Sequence, residues 1–279
     1  MKRQMELYTT KDDTALNYET MGSGQPIVMI HSAFENYSIF NQIAEKLSSS
    51  YQIVLIDLRG HGFSDKPLHI NFETYASDIK ELMDFLYIRH AFFIGQELGS
   101  SIAADFAVKH PEYTDALVLV NPTKVQKELP AERLFKKYAD KIRTWEDEKQ
   151  EKFLDKHTYG SLKKIKKFSK NVADTTGLMT DYEKDAVEQS FKRDYIGLEL
   201  NEIKAPTLII AGKYDERSTS EDIETFLHEI PDAQLETFKQ SGLYPMAEEM
   251  RGFLEVITAF FNVKEVMEDE QKRLHNSNK

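Results

Sequence analysis

The sequence predicts an α/β protein: a mostly parallel, eight-stranded sheet with helices on both faces and a helical insertion. Three observations carry that expectation. Short apolar runs of strand length alternate with segments of helical periodicity along most of the chain. The inner runs, such as PIVMIH (26–31), YQIVLID (51–57) and APTLIIAG (205–212), are apolar on both faces, as parallel strands covered on two sides must be. One long stretch, 124–200, lacks any such run and is rich in Lys, Glu and Asp.

Taken in order, residues 5–10 and 14–20 read as an edge hairpin, and GSGQ is the turn that leads into strand 26–31. FNQIAEKLSSS reads as a helix, and strand 51–57 is closed by the turn-rich LRGHGFSDKP. Between Thr74 and Ile88, Tyr75, Ile79, Leu82, Met83 and Leu86 recur at helical spacing. Strand 91–95, a helix over 98–109 and strand 116–120 follow. After the insertion come strand 205–212, helix 219–229, strand 234–238 and helix 248–262. The expected division is a core over 1–123 and 201–263, an insertion over 124–200 and a polar tail over 264–279. There are no internal repeats.

The 279 residues suffice for one large α/β domain, or a core with an insertion. A net charge of −11 argues against nucleic acid as a partner. The absence of cysteine excludes disulfides, thiolate nucleophiles and Cys-ligated metals. MKRQMELYTTKDD has no apolar core of a signal peptide, and no apolar run approaches the ~20 residues that span a bilayer. A cytoplasmic protein is expected, with no cofactor and no metal; the oligomeric state stays open.

Four motifs then stand in a telling order: HSAF at 31–34 after a strand, DLRGHGFSDKP at 57–67, GQELGS at 95–100 between a strand and a helix, and IIAGKYDERS at 209–218. In this combination the chain resembles the α/β-hydrolase superfamily over essentially its full length. The resemblance implies an oxyanion loop at HSAF, a nucleophile elbow at GQELG and a catalytic acid in the loop after strand 205–212. It also implies that the insertion is a cap. The family order of nucleophile, acid and histidine puts Glu97 in the nucleophile slot and Asp215 in the acid slot. KQSGLYPMAEE stands where the histidine loop belongs, which puts Leu243 in the histidine slot. Two of the three catalytic groups are thus replaced, and serine-hydrolase activity is expected to be absent.

A carboxylate can itself be a nucleophile, as in relatives with Asp at the elbow. Glu is one methylene longer, and a misplacement of about 1 Å can cost on the order of 100-fold. Leu243 can neither accept nor deliver a proton. His31, His61 and His157 are the nearest substitutes, and His31 and His61 read first as structural residues. His69, His90, His110, His228 and His275 read as loop or helix-surface residues. Ser100 and Ser101 fall in the first turn of the helix and read as small packing residues. The oxyanion donors would be the N–H groups of Ala33 and Leu98, with Ser32 in place of the usual glycine. Two carboxylates in one poorly solvated pocket must share a proton, bind a cation or find a donor. The favoured outcome is a local donor to Glu97, with His31, Tyr214, Tyr244 and backbone N–H groups as candidates. In the insertion, Leu134, Phe135, Tyr138, Ile142, Trp145 and Phe153 are expected to pack on the core, a few roofing the pocket. The basic run SLKKIKKFSK (161–170) reads as a solvated helix face rather than a membrane or anion patch. The expectation is a small-molecule binder or regulator using the pocket between core and cap. The alternative is a hydrolase of a small ester, epoxide or related substrate, with Glu97 as nucleophile or general base.

Overall fold

The computed structural model describes residues 6–192 and 198–262. Its strands are β1 (Glu6–Thr9), β2 (Ala15–Met21), β3 (Pro26–Ile30), β4 (Gln52–Ile56), β5 (Ala91–Gln96), β6 (Thr114–Val120), β7 (Thr207–Gly212) and β8 (Ala233–Phe238). They form one eight-stranded sheet in the order β1-β2-β4-β3-β5-β6-β7-β8. Strand β2 is antiparallel to both β1 and β4, and the remaining pairs are parallel. The exposed strands are β1 and β8, at the two edges; β5, near the centre, is buried at every residue.

Strand alternation sends neighbouring side chains to opposite faces, and each face is covered by helices. Val28 and Ile30 join one core cluster, Ile27 and Met29 the other. Phe93 packs on Phe106 of α3 (Leu98–Lys109), with ring centroids 4.7 Å apart. Phe92 stacks at 4.4 Å on Phe261, in a helix described over 250–262. Helix α2 (Phe72–Phe85) buries Tyr75, Ile79, Leu82 and Met83 on the face their spacing predicts.

Between β6 and β7 the described residues form α4 (Pro130–Ile142), α5 (Asp147–Asp155), α6 (Leu162–Ser169) and α7 (Asp181–Phe191), with no strand. The expectation for the aromatic residues of this stretch needs correction. Leu134 and Ile142 are buried, but Phe135 is exposed. Tyr138, Trp145 and Phe153 pack on one another rather than on the core, because α4 and α5 close a small ring cluster that also takes in His157. On α6, Lys163, Lys166 and Lys167 are exposed while Phe168 is buried against Tyr244, so the basic run is a solvated face over one anchoring ring. Helix α8 (Ser220–Glu229) and the short α9 (Pro245–Glu248) precede the helix over 250–262. The tail 264–279, with His275, lies outside the described residues. No helix among the described residues is long and apolar enough to cross a membrane.

Candidate functional site

The turn from β5 into α3 puts Glu97 at φ 50° and ψ −114°, a positive-φ conformation that costs a non-glycine residue roughly 1–3 kcal/mol. The flanking glycines make the turn possible. A Cβ on Gly95 would lie 2.5 Å from the Gly99 carbonyl oxygen, and one on Gly99 would lie 2.4 Å from that of Ile30. The sharp turn therefore exists in full, with a carboxylate at its tip.

That carboxylate is buried, with 1% of its side chain exposed, and it is held from two sides. Ser32 Oγ donates to Oε2 at 2.6 Å. Arg217 approaches side-on, with Nε 2.8 Å from Oε1 and Nη2 donating to Oε2 at 3.0 Å. Burial works against the charge on Arg217, but Glu97 above all outweighs it and the arginine is held protonated more firmly than usual. The expectation of a donor among His31, Tyr214 and Tyr244 is corrected accordingly. Tyr214 is 44% exposed, with Lys213 over its ring. Tyr244 gives its hydroxyl to Glu35 instead.

His31, His61 and His157 each have a ring nitrogen committed elsewhere, although His61, whose Nδ1 lies 2.9 Å from the Arg59 carbonyl, keeps a buried Nε2 without a partner among the described residues. His31 Nε2 accepts the Leu58 N–H at 3.0 Å, which fixes the proton on Nδ1, 2.7 Å from the Ser32 carbonyl. Burial pushes its pKa down to about 4, so the ring stays neutral as a structural bridge between two loops. His61, lowered to about 3 by burial and by His31, packs among His31, Phe34, Tyr75 and Phe191. His157 pairs with Glu216 at 2.7 Å and touches Tyr138. Ser100 and Ser101 donate to the carbonyls of Gly95 and Thr123, as packing residues would.

Leu243 is fully buried, and its N–H donates to the Thr158 carbonyl at 2.8 Å. Asn121, at the end of β6, positions this loop: Nδ2 donates to the carbonyls of Gly242 and Leu243 at 3.1 and 3.0 Å, and Oδ1 accepts the Gly212 N–H. Asp215 takes the Arg217 N–H on Oδ1 at 2.9 Å, while its buried Oδ2 has no hydrogen-bond partner. Burial first, then the nearby Glu97 charge, pushes Asp215 up to about 7. The expected oxyanion site is also altered. The Leu98 N–H, one of its two donors, is taken at 3.3 Å by Ser32 Oγ.

Two further residues complete the cluster. Glu35 receives the Tyr244 hydroxyl on Oε1 and the Ser32 N–H on Oε2 at 3.2 Å. Its pKa is raised to about 7, by burial and then by Glu97. Tyr159, from the loop after α5, stacks on Tyr244 with centroids 6.0 Å apart and planes 13° apart. Arg217, Glu35 and Tyr159 were not among the sequence candidates. Only Arg217 left a signal, as the cation two residues after the acid slot. Among the described residues no group of three His, Asp or Glu is arranged to hold a metal ion.

Sheet order and the sharp turn between β5 and α3 together define an α/β protein with a mostly parallel sheet covered on both faces. The chain belongs to the alpha/beta hydrolase fold family, whose model matches residues 25–249. Among curated proteins, an uncharacterized protein of Mycobacterium bovis is 33% identical over 113 residues, a match spanning 40% of this chain and only 33% of that protein. The AB hydrolase superfamily protein YisY of Bacillus subtilis is 25% identical over 268 residues, 91% of this chain and 97% of that one. Among solved structures, the esterase EaEST of Exiguobacterium antarcticum superimposes with a TM-score of 0.75 at 21% identity, covering 92% of this chain and 99% of that chain.

Proposed function

We propose that this chain is a non-hydrolytic member of its family, a small-molecule binder or regulator that uses the space between the strand ends and the helical insertion. One observation carries the reading: the group at the nucleophile position is a carboxylate already neutralised by Arg217 and capped by Ser32. A nucleophile needs a free lone pair aimed at the substrate and a base to turn the covalent intermediate over. Glu97 has Oε2 hydrogen-bonded twice and Oε1 buried against the Arg217 charge without a hydrogen bond of its own, and the base position holds the side chain of Leu243. The Ser32 hydroxyl meanwhile sits on the Leu98 N–H that an oxyanion would need. The insertion acts as a cap in this reading. Its Thr158–Tyr159 segment packs on the Leu243–Tyr244 loop, which closes the site from above.

The test is a screen of purified protein against short acyl esters, epoxides and haloacids, with Glu97→Gln alongside. Equal and negligible rates for both proteins are expected. Turnover that Glu97→Gln abolishes would overturn the proposal in favour of the hydrolase alternative, with Glu97 as nucleophile or general base. Labelling by a fluorophosphonate probe would overturn it in another way, by revealing an activated serine.

A further inference from the structure

The hydrogen-bonding capacity of the cluster is spent unevenly. Glu97 has Arg217 Nε facing Oε1, and Ser32 Oγ and Arg217 Nη2 on Oε2. Both oxygens of Glu35 are occupied, by Tyr244 and by the Ser32 N–H. Asp215 has one oxygen on the Arg217 N–H and the other buried away from water. The acceptors are therefore used or out of reach. The donors are not. Glu97 takes Arg217 along the edge formed by Nε and Nη2, and a guanidinium has a second fork, between Nη1 and Nη2, that can hold another planar anion. Among the described residues nothing accepts from Nη1, and the Arg217 side chain keeps 21% exposure although its Nε is buried. Nor does any described residue accept from the Tyr159 hydroxyl. The Glu216 N–H donates to the His157 carbonyl at 2.9 Å, which lays the segment carrying Tyr159 against the loop carrying Arg217, and the Arg217 charge opposes the rise that burial causes in the Tyr159 phenol's pKa.

We propose that the open fork of Arg217 captures the carboxylate of a small organic acid, with the Tyr159 hydroxyl as a second donor and the stacked Tyr159–Tyr244 rings beside its apolar part. The proposal rests on the reading of this site as a non-hydrolytic binding site and names the class of ligand. A cation is disfavoured because no unspent acceptor faces open space. A neutral amide would leave half of the fork unmatched, whereas a carboxylate matches it with two parallel charge-assisted hydrogen bonds. Glu97 serves as the fixed counter-ion that orients the guanidinium, and it makes the pair neutral before the ligand arrives.

The charged and titratable groups facing Arg217 come from every loop at this end of the sheet: Glu35 after β3, Glu97 after β5, Asp215 after β7, Tyr244 before α9 and Tyr159 from the insertion. Glu35 and Asp215 are each raised to about 7. Below that pH they are neutral and tolerate an incoming anion; above it each adds a negative charge beside the fork. Capture should therefore weaken as pH rises.

The probe is benzoate, titrated calorimetrically into the full chain at pH 6 and pH 8, with benzamide as the uncharged isostere. Saturable one-to-one binding of benzoate at pH 6 is expected, weaker by roughly tenfold at pH 8, with benzamide at least tenfold weaker throughout. Arg217→Lys keeps the charge but removes the fork, and Tyr159→Phe removes one hydroxyl without touching Glu97. Each should weaken benzoate by about tenfold or more, and Tyr159→Phe keeps the test valid if the arginine variant fails to fold. Equal binding of benzoate and benzamide would overturn the proposal. So would affinity unchanged in Tyr159→Phe, or no saturable benzoate binding at pH 6. The two readings fail separately: Glu97-dependent ester turnover defeats the non-hydrolytic reading, while absent benzoate binding defeats only the ligand class.

Discussion

Glu97 and Arg217 meet side-on at the tip of the turn between β5 and α3, Nε 2.8 Å from Oε1 and Nη2 3.0 Å from Oε2. The pair joins two loops at the ends of β5 and β7, strands separated in the sheet by β6. A charge this deep is tolerated only with a partner, so each residue explains the other. Glu97 at the elbow without Arg217 would be an isolated buried anion. Arg217 without Glu97 would face Asp215 and the two tyrosines with its own burial unpaid.

Removing the cation alone should therefore be severe. Arg217→Gln leaves Glu97 buried without its counter-ion, and the expected loss is roughly 3–5 kcal/mol of unfolding free energy. The double variant Glu97→Gln, Arg217→Gln has no orphaned charge and should recover a large part of that loss. Urea denaturation of the two single variants and the double, read as a cycle, measures the coupling. Strict additivity of the single losses would mean that the pair does not act as a unit.

Placing a serine at 97 and a histidine at 243 tests the proposed reading of these two positions. In Glu97→Ser, Leu243→His the introduced ring would enter the position beside Asp215, whose Oδ2 lacks a partner. Labelling by a fluorophosphonate probe should appear in this double variant and be absent from the parent. Ester turnover should remain weak until Ser32→Gly frees the Leu98 N–H, a change expected to add on the order of a hundredfold. Labelling of the parent, or none in either variant, would show that the site departs from the family geometry in more than these positions.

The sequence made the fold legible because buried strands are continuous apolar runs, and all eight fall within a few residues of their expected positions. The sharp turn after β5 was legible for a similar reason: Gly95 and Gly99 frame Glu97, and both positions admit no side chain. What the sequence withheld was the partner. The Glu97–Arg217 contact spans 120 residues, and nothing in KYDERS says which of its charges turns inward. Glu35 was hidden likewise, because a polar residue after HSAF reads as solvated until the Tyr244 loop closes over it. Tyr138, Trp145 and Phe153 were misread because helical spacing reports a shared face, not the surface that face meets.

The raised carboxyls predict an unusual pH profile. Folded Asp215 keeps its proton up to about 7, against an ordinary value of 3.8, and Glu35 does so up to about 7 against 4.5. Between these limits the folded state binds more protons than the unfolded one, so stability falls as pH rises through the window and levels off above it. Each group contributes a slope of up to about 1.4 kcal/mol per pH unit. Glu216, lowered to about 2 from 4.5, acts oppositely: its contribution is present above the ordinary value and is lost as pH falls below it. Its window thus lies beneath the other. His31 and His61, lowered to about 4 and about 3 from 6.5, act in the opposite sense and add stability as pH rises toward 6.5, so the carboxyl effect is read above that value and as a difference. Urea unfolding at pH 6.5, 7 and 8 should show a steeper decline in the parent than in Asp215→Asn, and equal slopes for the two proteins would contradict the assignment.

Glu248 carries the last prediction, because it fastens the Gly242–Leu243 loop to the insertion. Its Oε1 accepts the Ser161 N–H at 2.5 Å and its Oε2 accepts the Gly242 N–H at 2.7 Å, while Lys164 reaches its backbone carbonyl. The carboxylate is 2% exposed, and burial raises its pKa. Glu248→Ala strands two buried N–H groups in two separate segments, at a cost of about 1–3 kcal/mol for each. The effect should be local before it is global. Amide hydrogen exchange should quicken at Gly242, Leu243 and Ser161 well ahead of β5 and β6, since the loop can lift from the insertion while the sheet stays paired. Glu248→Gln keeps one strong acceptor and should fall between the parent and Glu248→Ala. Exchange that quickens uniformly across the sheet would instead make Glu248 part of the global folding unit.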